Sequence, residues 1–139
     1  MTPATNGLLD TSTVILLPRL RDPSVLPSHP AISTITLAEL SVGPLVTDDP
    51  SERAARQAHL QQAEADFDPI PFDQAAARAF GRVASSLRSS GRKRAARAYD
   101  ALIASVAVAN ELHLHTVNPH DFEGIVELDV VVVPHPDES

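Results

Sequence analysis

The stretch Arg97-Ala-Tyr-Asp-Ala-Leu-Ile-Ala-Ser-Val-Ala-Val-Ala-Asn110 decides the reading of the whole chain. It predicts a helix that is apolar on nearly every side: from residue 101 to 109 it holds one hydroxyl, Ser105, and no charge. A helix hydrophobic all round is a buried helix. Asp100 opens that apolar run, and a carboxylate at the edge of a buried element needs a partner, because an unpaired charge there is costly. By itself, Asp100 is explained by the first helical turn, where negative charge suits the helix dipole. Its company elsewhere in the chain argues for more.

Composition sets the bounds. The 139 residues, 43% apolar, make one domain with room for a core. The expected boundary is a single domain over residues 1–134 followed by a frayed polar tail, 135–139. Cysteine is absent, which excludes disulfides and thiolate metal sites. The chain shows neither a signal peptide nor an apolar run long enough to span a bilayer, so a soluble cytoplasmic protein with no membrane partner is expected. Net charge is −7, yet seven of the eleven basic residues (Arg78, Arg82, Arg88, Arg92, Lys93, Arg94 and Arg97) fall between 78 and 97 without one acid among them. The remainder carries 18 acids against 4 bases. Such asymmetry lets an acidic protein hold a polyanion at one place. A solvated helix end explains the same run equally well.

Outward from the central helix, strands alternate with helices. Gly7 to Asp10 predicts a first strand that presents Asp10 at its carboxyl end, with a short helix after it stopped by Pro18. Residues 31–35 predict a second strand, followed by Thr36-Leu-Ala-Glu-Leu-Ser-Val42, where Thr36 and Glu39 have the spacing of a capping box. Helices follow from Asp49 to about Ala65 and from Gln74 to about Ser89, the latter capped by Asp73. Between them, Phe67 to Phe72 predicts a short third strand. Glu111 to Val117 alternates as a fourth, and Leu128 to Val133 is a β-branched last strand. The pattern predicts an α/β fold: a three-layer α/β/α sandwich around a short, mostly parallel sheet of four or five strands.

In open α/β sheets the ligand site lies beyond the carboxyl ends of the strands. Asp10, Glu39 and Asp121 fall at or just past such ends, and Asp100 starts the helix entering from the same edge. Four acids converging there repel one another unless cations hold them together. Oxygen-only ligands select a hard cation, Mg²⁺ or Mn²⁺. A metal pair held by acids is a device for hydrolysing phosphodiesters, and a nearby basic patch would hold the polyanionic backbone. His113-x-His115 is a weaker candidate, a transition-metal pair that alternation on a polar strand edge explains as well. Tyr99, beside Asp100, reads as a packing residue with stacking on a base or a protein side chain as the alternative.

Four motifs, Leu8-Leu-Asp-Thr-Ser12, Thr36-Leu-Ala-Glu-Leu40, Ala98-Tyr-Asp-Ala-Leu-Ile-Ala104 and Thr116-Val-Asn-Pro-His-Asp-Phe122, together resemble the PIN-domain ribonucleases, more narrowly the VapC toxins of toxin–antitoxin operons. The resemblance covers essentially the whole chain. It implies a metal-dependent endoribonuclease using Mg²⁺ (or Mn²⁺), leaving a 3′-hydroxyl and a 5′-phosphate. It implies Asp10 and Asp100 as main metal ligands, with Glu39 and Asp121 completing the cage directly or through water. Thr11 or Ser12, Thr116 and Asn118 match positions that support those ligands, and Arg92, Lys93, Arg94 and Arg97 stand where RNA contacts are expected. It further implies a homodimer and a VapB-type antitoxin with which larger complexes form on operator DNA. The sequence departs from the family at Val117, where many relatives carry a basic residue. Two rival readings are an RNA-processing nuclease without antitoxin and a non-catalytic module whose acids hold one structural ion.

Overall fold

A computed structural model describes residues 6–91 and 98–137. Its sheet has four strands, β1 (Asn6–Leu9), β2 (His29–Ala31), β3 (His113–Thr116) and β4 (Val130–Val132), in the order β2-β1-β3-β4 and all parallel. The predicted strand over 67–72 does not form. Ile70 makes a single parallel bridge to Ser33, and the two prolines flanking it remove the backbone donors that a longer ladder needs. The second strand sits earlier than predicted, because Ser33 already caps the helix that follows.

Among the described residues five α-helices cover the sheet: α1 (Thr11–Leu16), α2 (Thr34–Val42), α3 (Pro50–Asp66), α4 (Gln74–Ser89) and α5 (Ala98–Ala109). Asp49 and Asp73 cap α3 and α4 through their carboxylates, as their positions predict. One apolar cluster joins Leu8 and Leu114 of the sheet to Val83 and Leu87 of α4 and to Ile103 and Val106 of α5. A second joins Leu9 and Ile32 to Val14 of α1, Leu40 of α2 and Ala63 of α3. Period-2 alternation explains the division, since Leu8 and Leu9 point to opposite faces of the same strand. The result is the expected three-layer α/β/α sandwich. As its composition demands, α5 is buried along most of its length, and the hydroxyl of Ser105 donates back to the carbonyl of Ala101 at 2.7 Å.

His113 and His115 do not lie on a polar edge. His115 is 3% exposed, and neither ring nitrogen has a hydrogen-bond partner among the described residues. Its imidazole lies over Gly7, where an added Cβ would stand 2.4 Å from Cδ2 and Nε2. Burial, reinforced by His113, pushes the His115 pKa below its ordinary value and keeps the ring neutral. After β4 the chain turns back, and Asp137 pairs with Arg19.

Strand order fixes where a site can be. From β1 the chain moves to β2 on one side, then returns to place β3 on the other. The gap between β1 and β3 at their carboxyl ends is therefore the topological switch point of the sheet.

Candidate active site

Asp10 and Thr116 face each other across that gap. Asp10 follows β1 directly and caps α1; Thr116 ends β3. Although Asp10 is only 3% exposed, its carboxylate is well satisfied. Oδ2 accepts from Ser12 Oγ at 3.0 Å and from Thr116 Oγ1 at 2.8 Å. Oδ1 accepts from the backbone N–H of Thr13 at 3.3 Å and from the Thr13 hydroxyl. Four donors thus occupy about the four acceptor positions a carboxylate offers. Three of them are hydroxyls, which can turn away and become acceptors themselves. A buried carboxylate surrounded by rotatable hydroxyls is held in place without being neutralised.

Glu39 reaches the same place from α2. The predicted capping box does not form, since Ser33 caps α2 and accepts from the N–H of Thr36 at 3.2 Å. Glu39 therefore lies a full turn inside the helix, where its own backbone makes no use of its carboxylate. Oε1 instead accepts from Thr11 Oγ1 at 2.6 Å, and Thr11 also shares a hydrogen bond of 3.0 Å with Thr36 Oγ1. Burial raises the Glu39 pKa above its ordinary value, the Thr11 hydrogen bond opposes this, and the charge of Asp10 adds to the rise. The two carboxylates feel each other, and among the described residues no basic side chain pairs with either.

The remaining predicted residues border this pair. Asn118 donates through Nδ2 to Ser12 Oγ at 3.0 Å and through its backbone N–H to Thr116 Oγ1 at 2.9 Å. It acts on Asp10 through those two hydroxyls. Pro119 starts a 3-10 turn, Pro119–Phe122, whose buried Phe122 anchors it to the core and which carries half-buried Asp121. Asp100 stands half-buried in the first turn of α5. That helix packs against α2 and the 119–122 turn, and it enters from the carboxyl edge because its far end leads back into β3. Both Asp100 and Asp121 are engaged in interactions of their own. Among the described residues, no three His, Asp or Glu side chains converge tightly enough to hold one ion. The structure brings Asp10 and Glu39 together and puts Asp100 and Asp121 on neighbouring elements of the same edge. Arg92, Lys93, Arg94 and Arg97 lie outside the described residues.

One residue escaped the sequence reading. Thr13 is fully buried, bonds Asp10 and accepts from the N–H of Val117 at 3.0 Å, tying α1 to the end of β3. Its signal was present: a capping Asp with Thr three residues on has the reciprocal spacing of a helix start. The bond from Thr11 to Glu39, a residue of another helix, is revealed only by the tertiary structure. Val117, the position of the departure from the family pattern noted above, buries its side chain.

In kind, the donors at Asp10 and Glu39 fit a hard divalent cation. They are oxygen only, no basic side chain among the described residues pairs with them, and Glu39 resists ionisation partly because of Asp10. Positive charge placed between them relieves that repulsion.

A family profile described as PIN domain matches residues 8–124. Ribonuclease VapC5 of Mycobacterium tuberculosis is 36% identical over 137 residues, covering 95% of this chain and 98% of that protein. The solved structure of VapBC-5, a member of the VapBC family of toxin–antitoxin systems from the same organism, superposes with a TM-score of 0.79. It is 34% identical and covers 94% of this chain and all of that one. VapBC2 of Rickettsia felis, solved bound to a DNA fragment from its promoter, shares the fold with a TM-score of 0.74 at 23% identity over 92% of this chain and 98% of that one. With its switch-point aspartate, its glutamate on α2 and these matches along nearly its whole length, the chain belongs to the PIN-domain family, among the VapC-type ribonucleases.

Proposed function

We propose that the chain is an Mg²⁺-dependent endoribonuclease, the toxin of a type II toxin–antitoxin pair, kept inactive by a VapB-type antitoxin. One observation carries the reading: a carboxylate pair, buried Asp10 and half-buried Glu39, that no basic side chain among the described residues neutralises sits at the sheet's switch point in a chain of VapC-type sequence. Asp10 and Glu39 would hold the cation, with Asp100 and Asp121 closing the site from α5 and the 119–122 turn. When bound, the cation supplies an activated water and charge stabilisation for phosphodiester hydrolysis. Thr116, Ser12 and Thr13 fix the orientation of Asp10, and Asn118 orients the hydroxyls of Thr116 and Ser12. Thr11 holds Glu39 in place, so that ligand geometry is set before substrate arrives. The basic residues at 92–97 are assigned to the RNA phosphates.

The antitoxin assignment draws on the solved relative at 34% identity, which is a VapBC complex. An arginine from a partner segment would satisfy Asp10 and Glu39 as a cation does, and bind carboxylates bidentately. A homodimer, assembly with antitoxin on operator DNA, and a cytoplasmic location belong to the same proposal. Among the described residues no helix is long and apolar enough to cross a membrane.

Cleavage of total cellular RNA by purified, antitoxin-free protein tests the reading, with Mg²⁺, Mn²⁺ or chelator, beside Asp100→Asn. Discrete fragments that need metal and vanish in the variant are expected. Fragments that persist in chelator, or an unimpaired Asp100→Asn, refute the metal mechanism. No cleavage from folded protein returns the weight to a non-catalytic module.

A further inference from the structure

Tyr99 was expected to pack, and it does not. It is 57% exposed, the sole aromatic among the exposed large apolar side chains. The four phenylalanines, Phe67, Phe72, Phe80 and Phe122, are all partly or fully buried. A single exposed ring is ordinary on a protein surface and means little by itself. The position of this one gives it meaning. Tyr99 immediately precedes half-buried Asp100 in the first turn of α5, so the two side chains leave the helix about 100° apart and one 1.5 Å step along it. α5 runs back toward the start of β3, which puts its first turn at the carboxyl edge of the sheet, the edge of Asp10 and Thr116. In sequence the ring follows the basic run ending at Arg97.

We propose that Tyr99 is a stacking platform for one unpaired base of the RNA, holding the strand so that a neighbouring phosphodiester lies over the acidic pair. The proposal rests on the nuclease reading above and adds to it a residue that positions the strand. An ionic patch grips phosphates of any nucleic acid, paired or not. A planar ring accepts a base only when that base is splayed out of a helix, which unpaired segments allow. Stacking tolerates every base, so Tyr99 selects for single strands and positions them without reading sequence. A protein side chain is the competing occupant. The basic run that directly precedes the ring in sequence, Arg92 to Arg97, favours the polyanionic RNA.

The chain offers a direct probe, because Tyr99 is its one tyrosine and it has no tryptophan. Intrinsic fluorescence therefore reports this ring alone. A single-stranded RNA of mixed sequence is titrated into the Glu39→Gln variant with Mg²⁺ present, and quenching of the tyrosine signal is expected. The same strand annealed to its complement should quench far less. In steady-state cleavage, Tyr99→Ala should raise KM by about ten- to a hundredfold, the worth of one stacked base, with a smaller change in kcat. Tyr99→Phe keeps the ring and should restore wild-type KM. Since the side chain is exposed, its truncation does not threaten the fold.

Unchanged KM in Tyr99→Ala, or equal cleavage of single and double strands, overturns the proposal and leaves the nuclease standing. Wild-type protein that neither binds nor cleaves RNA overturns both. Normal RNA kinetics in Tyr99→Ala combined with weakened antitoxin binding would assign the ring to a protein contact instead.

Discussion

At the scale of single residues, the site is a carboxylate pair whose members are held by different means. Asp10 is fixed by donors from its own turn and from β3, whereas Glu39 hangs on one hydroxyl, that of Thr11. Glu39 carries the pH signature. Its folded-state pKa lies above the ordinary 4.5, so it ionises less readily folded than unfolded. The penalty is absent below 4.5, and it grows as pH rises through that value toward the raised one. Glu39→Gln keeps an acceptor for Thr11 and removes the charge. The variant should be more stable than wild type to urea near neutral pH and equal to it well below 4.5. A variant less stable near neutral pH would mean that the carboxylate supports the fold. Gly7 poses a steric case. Its missing Cβ leaves the room in which the His115 ring lies, and overpacking of this kind typically costs ~1–3 kcal/mol. Gly7→Ala should lose about that much in denaturant unfolding. No loss would show that the ring has somewhere else to go.

At the scale of elements, α5 organises the molecule. Its burial sets both the core and the place where Asp100 emerges. Ile103 and Val106 are completely buried, and truncating such a side chain typically costs ~2–5 kcal/mol. Ile103→Ala should show a loss in that range by urea titration. The end of the same helix contains a mismatch. Glu111 adopts φ 54°, a left-handed conformation that glycine enters without a Cβ penalty. Its N–H bonds the carbonyl of Val108 at 3.2 Å, and that of Leu112 bonds Ala107 at 2.9 Å, closing the helix end. Glu111→Gly should raise stability by up to ~1 kcal/mol, the strain relieved outweighing the added freedom of the unfolded chain. A loss of stability would mean the glutamate side chain contributes more than its backbone costs.

At the scale of the whole molecule, strand order makes the site. Only because β1 lies between β2 and β3 do Asp10 and Thr116, 106 positions apart in the chain, meet across one gap. A ligand held by this junction ties together α1, α2 and β3, and whatever binds the folded state alone stabilises it, by ~2.7 kcal/mol at a hundredfold excess over Kd. Mg²⁺ should therefore raise the thermal midpoint of the wild type, and raise that of Glu39→Gln less. An equal response from both would place the ion away from Glu39.

The sequence by itself determined the fold class and the buried character of α5, because periodicity, helix capping and apolar run length are local properties that no distant contact needs to supply. Asp49 and Asp73 were legible as caps for the same reason. Strand limits were less so: Ile70 sits in a segment with strand-like composition, yet proline on both sides leaves it one bridge. What the tertiary structure alone decided is which polar groups meet. The bond from Thr11 to Glu39, the bond from Thr116 to Asp10, the seating of His115 over Gly7 and the exposure of Tyr99 all depend on elements far apart in the chain. A hydrogen bond is specified to a few tenths of an ångström by the packing of whole layers, and local pattern carries no information on that packing.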